Sequence, residues 1–295
     1  RKGVKFHDGA PFTADDVVFS LTRTMTPPSN LTSATQSVKD VKKVDDHTVD
    51  VILKGPSPVV LRELVEARIM NKAWAEKNNA TKAQDYKAKE ENFASRNANG
   101  TGPFTLVGWQ PDTKTTLKKN PNWWDKPKGN IDEIVFTPIK SAATRSAALI
   151  SGQVDMVVDP PVQDLERIKR DPNIHVIEGP ENRTIFFGFD QFRDELMGSN
   201  IKGKNPLKDK RVRQALYQAV DMAAIEKTVM RGLGKPTGTM IAPMVNGWTK
   251  ELGARASKYD VNAAKKLLAD AGYPQGFELT LDCPNDRYVN DEAIC

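Results

Sequence analysis

Two cysteines, Cys283 and Cys295, and three histidines, His7, His47 and His175, are the chain's full complement of thiol and imidazole groups. No two of these histidines stand at metal-ligand spacing, and no His-Glu-x-x-His run occurs. A Gly-x-Ser-x-Gly elbow is also missing, since Ser151-Gly152 lacks its first glycine. The glycine run Gly232-Leu233-Gly234-Lys235-Pro236-Thr237 fails both phosphate-loop patterns. A dinucleotide fingerprint needs glycine where Thr237 stands, and a Walker loop needs Ser or Thr where Pro236 stands. The carboxylate pairs Asp15-Asp16 and Asp45-Asp46 fall at a helix cap and a turn. The expectation is therefore no catalytic residue, no metal site and no cofactor. The cysteine pair has two outcomes: free thiols in a reducing compartment, or a disulfide in an exported protein.

What remains for chemistry is recognition. Trp123-Trp124 follows Asn120-Pro121 and suits either a ligand platform or, preferably, a structural plug; Trp109 and Trp248 pose the same choice. Asn182 and Arg183 stand where one α/β block hands over to the next, a place where clefts form between domains. Arg183 could offer a bidentate fork to a carboxylate. Asn182, Arg183 and Trp248 are thus the candidate ligand-binding residues.

The elements that must position these groups follow from pattern. Thr13 caps a first helix, with Asp16 three residues on completing an imperfect capping box. Val38 to Leu53 alternates about an Asp45-Asp46-His47 turn, a hairpin, and Phe104 to Lys119 forms another about Pro111-Asp112. Pro58 to Ala67 fits a helix, and Ala73 to Asn97 is polar helix and loop. Ser141, Asp221 and Asp260 cap further helices, the last closed by Gly272 with Pro274 beyond. Strands are expected at 131–139, 155–158, 174–177, 183–190 and 277–281, alternating with helices as in an α/β layered domain.

The 295 residues carry a formal charge of +5 spread along the chain, which argues against a nucleic-acid partner. Mean hydropathy is −0.52. No apolar run approaches the roughly 18 residues of a membrane span.

The opening RKGVKFHDGAPFTADDVVFSLTRTM resembles the signature of the family 5 (peptide/nickel-binding) extracytoplasmic solute-binding proteins of ABC importers. Gly100-Thr101-Gly102-Pro103-Phe104, Val41 to Val49, Pro206-Leu207 with Lys210 to Leu216, and Asp260 to Gly272 resemble further motifs of that family, in order. The resemblance implies an α/β, type II (cluster C) two-lobed periplasmic-binding-protein fold, here incomplete. In the family the opening signature lies well inside the mature protein, so an internal fragment lacking both termini is expected. Residues 1–100 would form most of an accessory subdomain, 101–190 much of a first lobe, and 191–295 the start of a second. The implied function is a non-enzymatic receptor that closes over a small solute, commonly a peptide, and delivers it to the membrane permease subunits of an ABC transporter. A monomer in the periplasm, or anchored outside a Gram-positive cell, is expected. Outside the cytoplasm, Cys283 and Cys295 are expected to pair. A hydrolase-like α/β enzyme and a non-transport sensor or chaperone on the same scaffold are the competing classes.

Overall fold

The computed structural model describes residues 1–179, 181–256, 258–285 and 287–295. It divides into two compact units, Arg1–Pro138 and Ile139–Cys295.

In the first unit, α1 (Ala14–Met25) starts where Thr13 leaves extended backbone for helix. The Asp16 carboxylate reaches back to accept from the Thr13 backbone N–H at 2.8 Å and its hydroxyl at 3.2 Å. Although only 3% exposed, that carboxylate also accepts from the Lys72 N–H (2.8 Å) and Asn71 Nδ2 (3.1 Å). One side chain thus caps α1 and fixes the segment entering α3, the later helix Lys72–Lys77. One turn on, Ser20 exchanges two hydrogen bonds with the Met70 backbone, at 2.8 and 3.1 Å.

The remaining inward face of α1 covers the hairpin β1 (Val38–Asp45) and β2 (Thr48–Leu53), antiparallel with Val41 opposite Val51. A lone two-stranded hairpin is marginal in water and needs a packed face. Leu21, Ala34, Val38, Val41 and Ala67 supply it, with Val17, Val49 and Leu64 at the margin. The expected helix over 58–67 forms as the single turn α2 (Val60–Glu63) running into a 3₁₀ turn, Leu64–Glu66. After α3, the polar stretch holds one more helical turn, α4 (Phe93–Arg96).

A three-stranded antiparallel sheet completes the unit: β3 (Phe104–Gln110), β4 (Lys114–Lys119) and β5 (Glu133–Phe136), in that order. Its entry is clasped by the chain's first residues. The His7 N–H donates to the Gly100 carbonyl at 2.9 Å, while Nδ1 accepts from the Gly100 N–H at 3.3 Å. That leaves Nε2 as the protonated nitrogen of the neutral ring, donating to the Gly102 carbonyl at 3.1 Å. Asn99 Nδ2 donates to Asp8 at 2.8 Å. Two motifs that are far apart in sequence are therefore one hydrogen-bonded unit. Trp124 Nε1 donates to the Thr101 carbonyl at 3.0 Å beneath the Arg1 guanidinium, 4.1 Å from its ring centroid.

In the second unit, Ser141 caps α5 (Ala142–Ile150), which ends at Gly152 in the left-handed region, φ +72°. Then follow α6 (Leu165–Lys169), α7 (Lys210–Gln218), α8 (Met222–Ala224, continued by a π-helical turn to Val229), α9 (Lys250–Gly253) and α10 (Val261–Asp270). The chain ends in α11 (Asp291–Ile294). Asp221 and Asp260 cap α8 and α10, each accepting an N–H three residues on at 2.9 Å. Helices α7 and α10 pack together around Val212, Leu196 and Leu207, with Leu216, Leu268 and Phe277 against them.

The strands expected over 155–158, 174–177, 183–190 and 277–281 pair with nothing among the described residues. Every other backbone group of a strand needs a neighbouring ladder, and β-prone side chains alone cannot supply one. Several of their apolar side chains are left in solvent: Ile177 is 88% exposed and Phe186 58%. The division at 138/139 also falls at neither of the expected boundaries near 100 and 190.

Asp209 caps α7, accepting from the Arg211 N–H at 2.8 Å while the Arg211 guanidinium grips both of its oxygens at 2.6 to 3.2 Å. The guanidinium above all, and then the backbone N–H, hold its carboxyl at a pKa of about 2, below the usual 3.8. A depressed folded-state value means that this cap stabilises fully above pH 4 and is lost as pH falls toward 2. Carboxyl-detected NMR should find the Asp209 midpoint near 2, moving up toward 3.8 in Arg211→Ala; an unmoved midpoint would assign the shift to the backbone alone.

Candidate functional site

Arg183 opens the β-prone run 183–190 and is held from two sides. Its Nη2 meets Glu181 Oε1 at 2.6 Å, and its guanidinium lies over the Tyr288 ring, 5.2 Å from the centroid. Arg287 reaches the same ring at 5.5 Å. Two cations thus share one aromatic ring, each favoured by the ring quadrupole by about 0.5–1 kcal/mol where solvent has access.

Tyr288 is positioned by local chemistry near the C-terminus. Cys283 and Cys295 are joined by a disulfide with their Cα atoms 6.3 Å apart, closing the loop that carries Arg287 and Tyr288. Inside that loop the Asp291 carboxylate, 5% exposed, accepts from the backbone N–H groups of Arg287 (2.8 Å), Tyr288 (2.9 Å) and Glu292 (2.8 Å). Those bonds, the Tyr288 N–H foremost, hold its carboxyl below the usual range. Asn290, in the left-handed region at φ +56°, donates from Nδ2 to the Val229 carbonyl at 3.0 Å and anchors the loop to the end of the α8 turn. On the other side, Thr184 donates to the Met240 carbonyl at 3.3 Å, tying the Arg183 segment to the loop that leads to Trp248.

The other two expected contacts are placed differently. Asn182 is exposed and forms no hydrogen bond among the described residues. Trp248 is half-buried and lies across Gly253, where a Cβ would meet its ring at 3.1 Å; the lack of a side chain at 253 is what lets the indole sit on α9. Tyr288 and Arg287 went unnoticed in the sequence, although their place inside the Cys283–Cys295 interval was a signal. The arrangement can hold a carboxylate: Glu181 already occupies one face of the Arg183 fork, and the Arg287 guanidinium makes no ion pair among the described residues. Among the described residues, no three His, Cys, Asp or Glu side chains converge as metal ligands.

The fold is, in part, the type II periplasmic-binding-protein fold of solved structures about half of whose length this chain covers. The model of the family "Bacterial extracellular solute-binding proteins, family 5 Middle" matches residues 1–295, and the chain belongs to that family. It is 32% identical to heme-binding protein A of Haemophilus influenzae over 94% of its own length and 51% of that protein's. It is likewise 32% identical to the dipeptide-binding protein of Escherichia coli, over 99% of its length and 55% of the relative's. Among solved structures, the PBP AgaA of A.tumefacien R10, in complex with agropinic acid, superposes with a TM-score of 0.70 at 31% identity, over 94% of this chain and 52% of that one. The chain spans about half the length of the curated relatives it matches.

Proposed function

We propose that this chain is the part of an extracytoplasmic solute receptor that carries one wall of the ligand site, and that the receptor delivers its solute to the permease of an ABC importer without catalysing a reaction. The observation that carries this reading is the family match along the whole chain, from the opening signature to the disulfide loop. The paired guanidiniums at Tyr288 support a solute bearing a carboxylate, as dipeptides and opines do. Heme also carries carboxylates, and relatives named for heme and for dipeptides match at equal identity. We place the protein in the periplasm or on the cell surface, acting as a monomer with no nucleic-acid partner. Residues 1–100 are read as accessory subdomain, 101–190 as first-lobe and 191–295 as second-lobe sequence, the compact-unit boundary at 138/139 falling within the first lobe.

Capture by hinge closure follows if ligand contacts in the closed state exceed those in the open one. The test is calorimetric titration of the purified receptor with Ala-Phe, glutathione and hemin, repeated on Arg183→Gln. The carboxylate-bearing solute that binds should lose about tenfold in affinity with the Arg183 fork removed, a charge-assisted pair being worth some 1.5 kcal/mol. Binding that Arg183→Gln leaves untouched would remove Arg183 from the site, and release of a chemically altered solute would overturn the receptor reading.

A further inference from the structure

Asparagine is followed by glycine twice in the chain, at Asn99-Gly100 and at Asn246-Gly247. This pair of residue types carries a chemistry of its own. Without a Cβ on the second residue its backbone nitrogen is unshielded, and glycine's conformational freedom lets that nitrogen approach the preceding carboxamide. Reaction between the two needs a side-chain carboxamide free to swing, a backbone N–H open to base, and a main chain able to close a five-membered ring.

The clasp at the entry to β3 holds Asn99 back on the first two counts. The residue is buried, 8% exposed. Its Nδ2 donates to Asp8 at 2.8 Å and its Oδ1 accepts from the Asp8 N–H at 3.3 Å, so both ends of the carboxamide are held. The Gly100 N–H, the group that would attack, is itself donated to His7 Nδ1 at 3.3 Å.

Asn246 differs at each point. It is exposed, as is Gly247, and its carboxamide has no hydrogen-bond partner among the described residues. The Trp248 N–H donates to the Val245 carbonyl at 3.1 Å, closing a turn with Asn246 and Gly247 at its centre. Gly247 stands at φ +95°, in the region that a type II turn demands of its third residue. The third residue's own N–H takes no part in the closing bond of such a turn. That of Gly247 donates to no backbone carbonyl among the described residues. Carboxamide and nucleophile are thus both unengaged, on residues that lie in solvent.

We propose that Asn246 is a deamidation site of the folded protein and that Asn99 is protected from the same reaction. Base removes the Gly247 amide proton, and the nitrogen attacks Asn246 Cγ. A new N–C bond closes a succinimide ring, the bond from Cγ to Nδ2 breaks, and the side-chain nitrogen takes up a proton and leaves as ammonia. Water then opens the ring at either carbonyl. One opening leaves an ordinary aspartyl linkage; the other leaves an isoaspartyl linkage, in which the main chain runs through the former side chain. The net exchange is water taken up for ammonia released, with no oxidant or cofactor. Either product puts a negative charge into the turn, and the isoaspartyl form also lengthens the main chain between Val245 and Trp248, which breaks the closing bond. The inference does not depend on the solute reading above.

The test incubates the full chain in mildly alkaline buffer, folded and in urea, and follows both asparagines by mass spectrometry. Peptides are cut with pepsin at acidic pH, where conversion stops, and fragment ions assign the gain of about 1 Da to a residue. In urea the two pairs should convert at similar rates. In the folded chain Asn246 should stay within about tenfold of its urea rate, since no hydrogen bond must open first. Asn99 should slow by about a hundredfold or more, because its reaction waits on opening the clasp. Asn246→Gln, whose longer side chain would have to close a larger ring, should show no conversion at that turn. In the isoaspartyl product the Trp248 amide, deprived of its acceptor, should exchange with deuterium about tenfold faster. Folding that protects Asn246 as strongly as Asn99, or Asn99 converting as fast as Asn246 in the folded chain, overturns the proposal.

Discussion

Asp16→Ala is expected to destabilise the Arg1–Pro138 unit by roughly 3 kcal/mol, because it strands several donors in a place water barely reaches. The Thr13 and Lys72 backbone N–H groups and Asn71 Nδ2 all depend on this carboxylate. Losing an ordinary N-terminal cap costs about 1 kcal/mol. Here the same side chain also anchors α3 from a site that is 3% exposed, so the larger figure applies. The readout is favourable: Trp74, Trp109, Trp123 and Trp124 lie in this unit and only Trp248 in the other, so tryptophan fluorescence reports the first unit's unfolding almost alone. Urea titration should show the lowered midpoint, and melting should occur on the order of 10 °C earlier. Asp16→Asn, which keeps one acceptor, should fall between the two. A loss below 1 kcal/mol in Asp16→Ala would mean that water replaces the carboxylate and that the capping box is incidental.

Converting both Cys283 and Cys295 to serine should free the loop they close. Cross-linking residues 12 apart restricts the open chain by roughly 3 kcal/mol in the chain-entropy account. The loop they close is anchored to the end of the α8 turn through Asn290, so the expected loss is local ordering of 283–295, with the α7–α10 core left intact. Hydrogen exchange separates the two: amides of Tyr288 and Glu292 should exchange about a hundredfold faster, while those of Val212 and Ala215 should not change. Reduction with dithiothreitol should reproduce the variant. Because Tyr288 would then leave Arg183, affinity for the carboxylate-bearing solute should fall along with the exchange protection. Unchanged exchange at Tyr288 would show that Asp291, with its three backbone donors, and Asn290 hold the loop without the covalent link.

Elements whose determinants are neighbours in sequence were legible in the residues themselves. Thr13, Ser141, Asp221 and Asp260 each stand within four residues of the N–H or helix turn they govern, and those helices begin where the residue types say. Both hairpins were readable for the same reason, since turn and alternation are local. The second unit's strands were not. Their residue types are right, but a strand exists only with its neighbour, and none of the described segments supplies one. The candidate site divides in the same way. Arg183 stood out by residue type and position, but the ring it meets comes from the far end of the chain, and only the cysteine interval hinted at it. Trp248 posed a choice between ligand platform and structural plug, and its indole lies across Gly253 on α9, a contact that the sequence does not mark.

The clasp between His7-Asp8 and Asn99–Gly102 has a consequence for the order of folding. Its hydrogen bonds join residues 91 to 95 apart, so making them first would close a loop at an entropic cost of about 4 kcal/mol. The capped helix and hairpin in between form from near neighbours at far smaller cost, and their collapse draws the two ends together. The opening residues therefore act as a latch set late, engaging only once the intervening hundred or so residues have found their fold. In φ-value terms, substitutions at His7 and Asn99 should speed unfolding and leave the folding rate nearly untouched.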